Sequence, residues 1–71
     1  MLSFSTTNSG RTIQIDCDDA GIAKLIDMLS KLRGSGTHMH LWGPPIANDL
    51  SARTPFGSDA AREVIISHGG D

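Results

Sequence analysis

The chain has 71 residues, of which 38% are hydrophobic and 20% charged, with a formal net charge of −2. A chain this short is one domain, 1–71, and buries only about 60% of the surface its unfolded form exposes, which leaves no room for a second domain or a deep cleft. The six basic residues Arg11, Lys24, Lys31, Arg33, Arg53 and Arg62 are scattered, and one Trp, two Phe and no Tyr make no stacking set, so nucleic acid is not an expected partner.

No apolar run approaches the roughly 18 residues of a membrane span, and residues 1–7 lack the basic and apolar regions of a signal peptide. The expected compartment is therefore the cytoplasm, with no membrane partner. Cys17 is the one cysteine, so no intramolecular disulfide supports the fold, and a lone thiol fits a reducing environment. Its expected role is a small half-buried hydrophobe at a strand end, because Asp16, Asp18 and Asp19 disfavour a thiolate.

Leu2 and Phe4 alternate with Ser3 and Ser5, and Ile13, Ile15 and Cys17 alternate with Thr12, Gln14 and Asp16. A period of two marks strands with one buried face, and Asn8-Ser9-Gly10-Arg11 between them supplies the positive φ of a hairpin turn. Ile22, Leu25, Ile26, Leu29 and Leu32 then recur at spacings of three and four, the stripe of an amphipathic helix. Asp18 suits the N-cap, Asp19 the first turn, Lys31 and Arg33 the last, and Gly34 an αL stop. Asp27 and Lys31 pair at i, i+4. Gly21 costs about 1 kcal/mol relative to Ala inside a helix, which points to close packing on the sheet or a frayed start.

After Gly34-Ser35-Gly36, residues 37–42 form the third expected strand, ended by Pro44-Pro45, and residues 62–67 the fourth. The loop between, 43–61, is long for a compact domain, so it is functional or conceals a helical turn or two over 46–52. The expected fold is α+β, in the order ββαββ: a four-stranded, mostly antiparallel sheet with the helix on one face. Its inward set is Leu2, Phe4, Ile13, Ile15, Met39, Leu41, Val64 and Ile66. Apolar burial of that size is of the order of the opposing chain entropy, so support from the loop or from a second copy, a homodimer, is expected.

His38 and His40 sit at i, i+2, the spacing that sets two imidazoles on one side of a strand. A metal site needs a third ligand, and no spacing motif fixes His68, Glu63 or Asp16 as one, so neither metal nor cofactor is expected. Trp42 and Ile65 fall on the same uncovered face. Trp42 is either covered by the loop, with Pro44 and Phe56 on its ring, or anchors a partner. There is no Gly-x-Ser-x-Gly elbow, no phosphate loop and no dinucleotide fingerprint, so a non-enzymatic binding protein is expected ahead of a His-dependent metal enzyme. The stretch from Trp42 to Gly57 carries Trp42, Phe56, all three prolines, Asp49 and Arg53, a mixture of aromatic anchors, stiff backbone and a few charges that suits an interface. Candidate partner-binding residues are thus His38, His40, Trp42, Asp49, Arg53 and Phe56. Lys24, Asp27 and Lys31, on the helix's polar face, are explained by solvation and pairing.

The run Asp18-Asp19-Ala20-Gly21-Ile22-Ala23-Lys24-Leu25-Ile26-Asp27-Met28-Leu29, followed by His38-Met39-His40-Leu41-Trp42-Gly43, resembles the immunity protein 32 family, small bacterial proteins of polymorphic toxin systems. The similar parts are a Gly-Ile/Leu-x-x-Leu helix opening, a His-x-His-Leu strand, an Asp-Leu-Ser element at Asp49-Leu50-Ser51 and a closing strand like 62–66, together about two thirds of the chain. The resemblance implies a cytosolic protein that blocks a cognate toxin by direct binding. The alternative is a small homodimeric or regulatory interaction module unrelated to toxins.

Overall fold

Strand alternation sets the first hairpin. In the computed structural model, which describes residues 1–35 and 37–69, β1 (Leu2–Thr7) pairs antiparallel with β2 (Thr12–Cys17), Leu2 opposite Cys17, Phe4 opposite Ile15 and Thr6 opposite Ile13. The joining turn has positive φ at Asn8 (53°), Ser9 (57°) and Gly10 (82°), and the Gly10 N–H donates to the Thr7 carbonyl at 3.1 Å. Asn and Gly adopt this left-handed region readily; Ser9 is held there by its neighbours.

Helix α1 (Asp19–Ser35) begins as its chemistry dictates: Asp18 Oδ1 accepts the Gly21 N–H at 2.9 Å, satisfying a donor that the first turn leaves unpaired. Lys31 reaches Asp27 at 3.1 Å. The helix continues past Gly34, the expected stop, to Ser35, and Gly36 of the expected linker lies outside the described residues.

β3 (His38–Trp42) and β4 (Glu63–Ser67) form the second antiparallel hairpin, with Met39 opposite Ile66, His40 opposite Ile65, Leu41 opposite Val64 and Trp42 opposite Glu63. Directly opposed residues share a face. Met39, Leu41, Val64 and Ile66 therefore turn inward, and His38, His40, Trp42, Glu63 and Ile65 turn out.

The ββαββ order stands, but the strands form two two-stranded sheets, not the single four-stranded sheet expected from the sequence. The reason lies in the loop between β3 and β4. Ser51 N–H donates to the Leu2 carbonyl at 2.8 Å and Ala61 N–H to the Phe4 carbonyl at 2.7 Å, so loop backbone occupies the edge of β1 that another strand would have used. Residues 46–52 form no helix. Ile46 and Ala47 turn back on the Gly43 carbonyl, and Arg53 and Asp59 form an isolated bridge farther on.

Leu2, Phe4, Leu41 and Leu50 make the centre of the core, with Leu25, Met28, Met39, Ala61, Val64 and Ile66 packed against it. Part of the expected inward set is excluded from it: Ile13 and Ile15 are 70% and 48% exposed, and on the helix Ile22, Ile26 and Leu29 are 44%, 59% and 42% exposed. Gly21 explains the helix. It is buried so closely on the start of β1 that a Cβ there would overlap the Met1 carbonyl oxygen, and this approach rotates the line Gly21, Leu25, Met28 and Leu32 inward. The loop explains β2, because with Leu50 and Ala61 filling the core beside β1, the layer is complete before it reaches β2. Cys17, expected half-buried, is exposed with the rest of that strand's apolar face. No helix among the described residues is long and apolar enough to cross a membrane.

Candidate partner-binding face

The alternation of β3 that drives Met39 and Leu41 into the core puts His38, His40 and Trp42 in a row on the opposite side. They form a ladder of rings. His40 stacks on Trp42 with centroids 5.7 Å apart and planes 7° from parallel, and His38 meets His40 edge-on at 5.1 Å. Glu63, on β4 across from Trp42, holds His40 Nδ1 at 2.8 Å through Oε2, and Thr37 Oγ1 lies 3.3 Å from His38 Nδ1. The imidazole between Glu63 and Trp42 thus has its plane and one nitrogen fixed before any partner arrives. Ile65 lies on this face beside His40 and is exposed.

Trp42 is half-buried, but not by Phe56, which one of the two sequence expectations placed on its ring. Phe56 is 78% exposed and makes no ring contact with Trp42, whose neighbour in the stack is His40. What the loop does hold is the tryptophan backbone: Asp49 Oδ2 accepts the Trp42 N–H at 3.1 Å, and the Leu50 N–H donates to the Trp42 carbonyl at 3.1 Å. Asp49 Oδ1 in turn lies 3.6 Å from Lys24 Nζ, which also donates to the Asn48 carbonyl at 3.2 Å. Lys24 is therefore a strut between helix and loop, a role that its place on the polar face of the helix did not disclose. Asp49 is a brace behind the anchor more than a contact in front of it.

Arg53 and Phe56 belong to a second lobe, which no hydrogen bond, ion pair or ring contact among the described residues joins to the histidine ladder. Its tip, 54–58, is bonded to itself. Thr54 Oγ1 lies 2.7 Å from Ser58 Oγ and accepts the Phe56 N–H at 3.2 Å, while the Thr54 N–H donates to the Ser58 carbonyl at 2.9 Å. Gly57, at φ 85°, closes the turn and places the Phe56 ring in solvent on a stiff backbone. Arg53 Nε donates to the Gly57 carbonyl at 3.2 Å, and its guanidinium stands 4.0 Å from Asp59. Beside this lobe lies a cleft of about 370 Å³ lined by Pro44, Pro45, Arg53 and Arg62 among others.

Of the possible third metal ligands, Glu63 reaches His40, whereas Asp16 is taken by Gln14 Nε2 at 3.0 and 3.1 Å. Among the described residues no three His, Cys, Asp or Glu side chains gather around one point. What the arrangement offers is a pre-set surface of two imidazoles, a half-buried indole and a carboxylate, with an exposed phenyl ring on the separate loop tip. Comparison with protein-family models finds no match, and comparison with curated proteins and with solved structures finds none either.

Proposed function

We propose that this chain is a non-enzymatic binding protein of the immunity type, a cytoplasmic inhibitor that neutralises a cognate bacterial toxin by covering it. The observation that carries the reading is the outward-facing ladder His38–His40–Trp42, its imidazoles exposed and its indole half-buried, braced from the side by Glu63 and from behind by Asp49. An aromatic anchor whose rotamer and backbone are already held loses little entropy on binding, which is the economy a tight inhibitor needs. The resemblance of the helix opening and the His-x-His-Leu strand to the immunity protein 32 family supplies the toxin as partner.

The test pairs the purified protein with the toxin domain encoded beside its gene. A stable complex that abolishes toxicity is expected, and Trp42→Ala and Phe56→Ala should each weaken it by more than about 1 kcal/mol after correction for stability. Lys31, solvent-exposed and paired with Asp27, is the control; Lys31→Ala should leave affinity unchanged. A gene neighbourhood with no toxin domain, or full protection by the Trp42 and Phe56 variants, would overturn the reading in favour of a regulatory module unrelated to toxins.

A further inference from the structure

The molecule carries a second unpartnered surface, centred on β2 and the flank of α1 beside it; at its end Ile13 borders the loop, lining a cavity with Asp59, Ala60 and Ala61. Lys24 reaches Asn48 and Asp49, and Ser51 and Ala61 pair with β1, so the loop lies along the side of β1 away from β2. At 100° per residue, Ile22, Ile26 and Leu29 stand on the flank of α1 opposite Lys24, which is the flank towards β2. There they join Ile13, Ile15 and Cys17, all exposed and all on the helix-facing side of β2.

The backbone of β2 is open along the same line. In an antiparallel ladder, opposed residues turn their N–H and C=O groups either toward each other or both away. The carbonyls of Leu2 and Phe4 are spent on Ser51 and Ala61, so their opposites, Cys17 and Ile15, turn their backbone groups outward, as does Ile13 two residues on. No strand among the described residues pairs with that edge. An apolar row and an unpaired hydrogen-bonding edge thus belong to the same residues.

We infer that a second copy of this chain occupies this surface, β2 pairing antiparallel with its counterpart about a two-fold axis at Ile15 to make one four-stranded sheet with both helices on one face. The surface is complementary to itself in that register. Ile15 meets Ile15 of the other copy, Ile13 meets Cys17, and Gln14, whose amide already donates to Asp16 within the chain, faces Asp16 of the other copy. Arg11, at the turn of one hairpin, approaches Asp18 and Asp19 at the helix start of the other. The area also fits. Five aliphatic side chains at these exposures present on the order of 500 Å², the larger part of the roughly 800 Å² per partner that a standard interface buries. The histidine ladder, on the outward face of the other hairpin, stays free, so the inference does not rest on the proposed function.

Sedimentation equilibrium of the wild-type chain should give a dimer at micromolar concentration. Ile15→Lys and, separately, Ile26→Lys should each raise the dissociation constant by at least about 100-fold while the circular dichroism stays native, since both residues are exposed in the monomer. With Cys17→Ser to remove the native thiol, Ile15→Cys should oxidise to a covalent dimer across the axis, where paired Cα atoms lie within disulfide range. A wild-type monomer at about 100 µM, or a dimer that survives both lysine variants, would overturn the inference. So would a wild-type monomer whose toxin binding is lost on Ile26→Lys, which assigns this surface to the toxin. Trp42→Ala should leave the dimer intact, so failure of the dimer and failure of the toxin assignment are separately visible.

Discussion

A methyl group at Gly21 would overlap the Met1 carbonyl oxygen and stand 3.0 Å from Cys17 Cβ. Helix propensity favours Ala over Gly by about 1 kcal/mol, but the obstruction is backbone, which cannot rotate aside as a side chain can. Steric overlap should win, with Gly21→Ala destabilising the fold by about 2 kcal/mol, as urea denaturation would read it. The same corner has a pH dependence. The Asp18 carboxyl is held below the usual carboxylate range, first by its hydrogen bond to the Met1 ammonium and then by the Gly21 N–H. A folded pKa below the unfolded one contributes stability that is present above the ordinary value of 3.8 and is lost as pH falls through the depressed value. The stability difference between wild type and Asp18→Asn should therefore be full above about pH 5 and vanish in stronger acid. A difference that persists unchanged at pH 2 would mean the carboxylate charge plays no part.

At the scale of elements, Asp49 ties three of them together: its two oxygens serve the Trp42 N–H of β3 and Lys24 of α1 from within the loop. Asp49→Ala leaves the half-buried Trp42 N–H without its acceptor, at an expected cost of about 1–2 kcal/mol, and should speed hydrogen exchange at Trp42 and Leu50 more than at β1. Exchange unchanged at Trp42 would show that the Asp49 carboxylate does not protect the Trp42 N–H. Alternation made both hairpins, and the row of His38, His40, Trp42 and Ile65 on one face, legible in the sequence, because a strand offers only two faces and one register buries Met39 and Leu41. Asp18 was legible as a cap for a similarly local reason. The rotation of the helix was not. Leu25, Met28, Leu29, Leu32, Ile22 and Ile26 span a wide apolar arc, and which part of it is buried depends on the contact of Gly21 with Met1, two residues twenty apart in sequence. Nor did the loop announce that its backbone would replace a strand beside β1, since Ser51 and Ala61 carry no strand pattern and act through main-chain N–H groups that every residue but proline has.

For the molecule as a whole, the buried hydrophobic residues among those described are Leu2, Phe4, Leu32, Leu41 and Leu50, a small set, while five isoleucines and leucines on β2 and α1 remain in water. Burying each of those five would contribute up to about 1.5–3 kcal/mol, comparable with the whole stability of a small domain. If the second copy covers them, folding and association share one free-energy balance, and by mass action the thermal midpoint must rise with protein concentration. A tenfold increase in concentration changes the association term by about 1.4 kcal/mol per mole of dimer, or half that per chain, which for a domain of this size corresponds to a rise of a few degrees. Calorimetry from about 5 to 500 µM should therefore show midpoints that climb steadily in the wild type. In Ile15→Lys they should stay flat, at the low end of the wild-type range. Wild-type midpoints that coincide at all concentrations would show that the monomer's small core is sufficient, and that the apolar row on β2 and α1 contributes nothing to holding the fold.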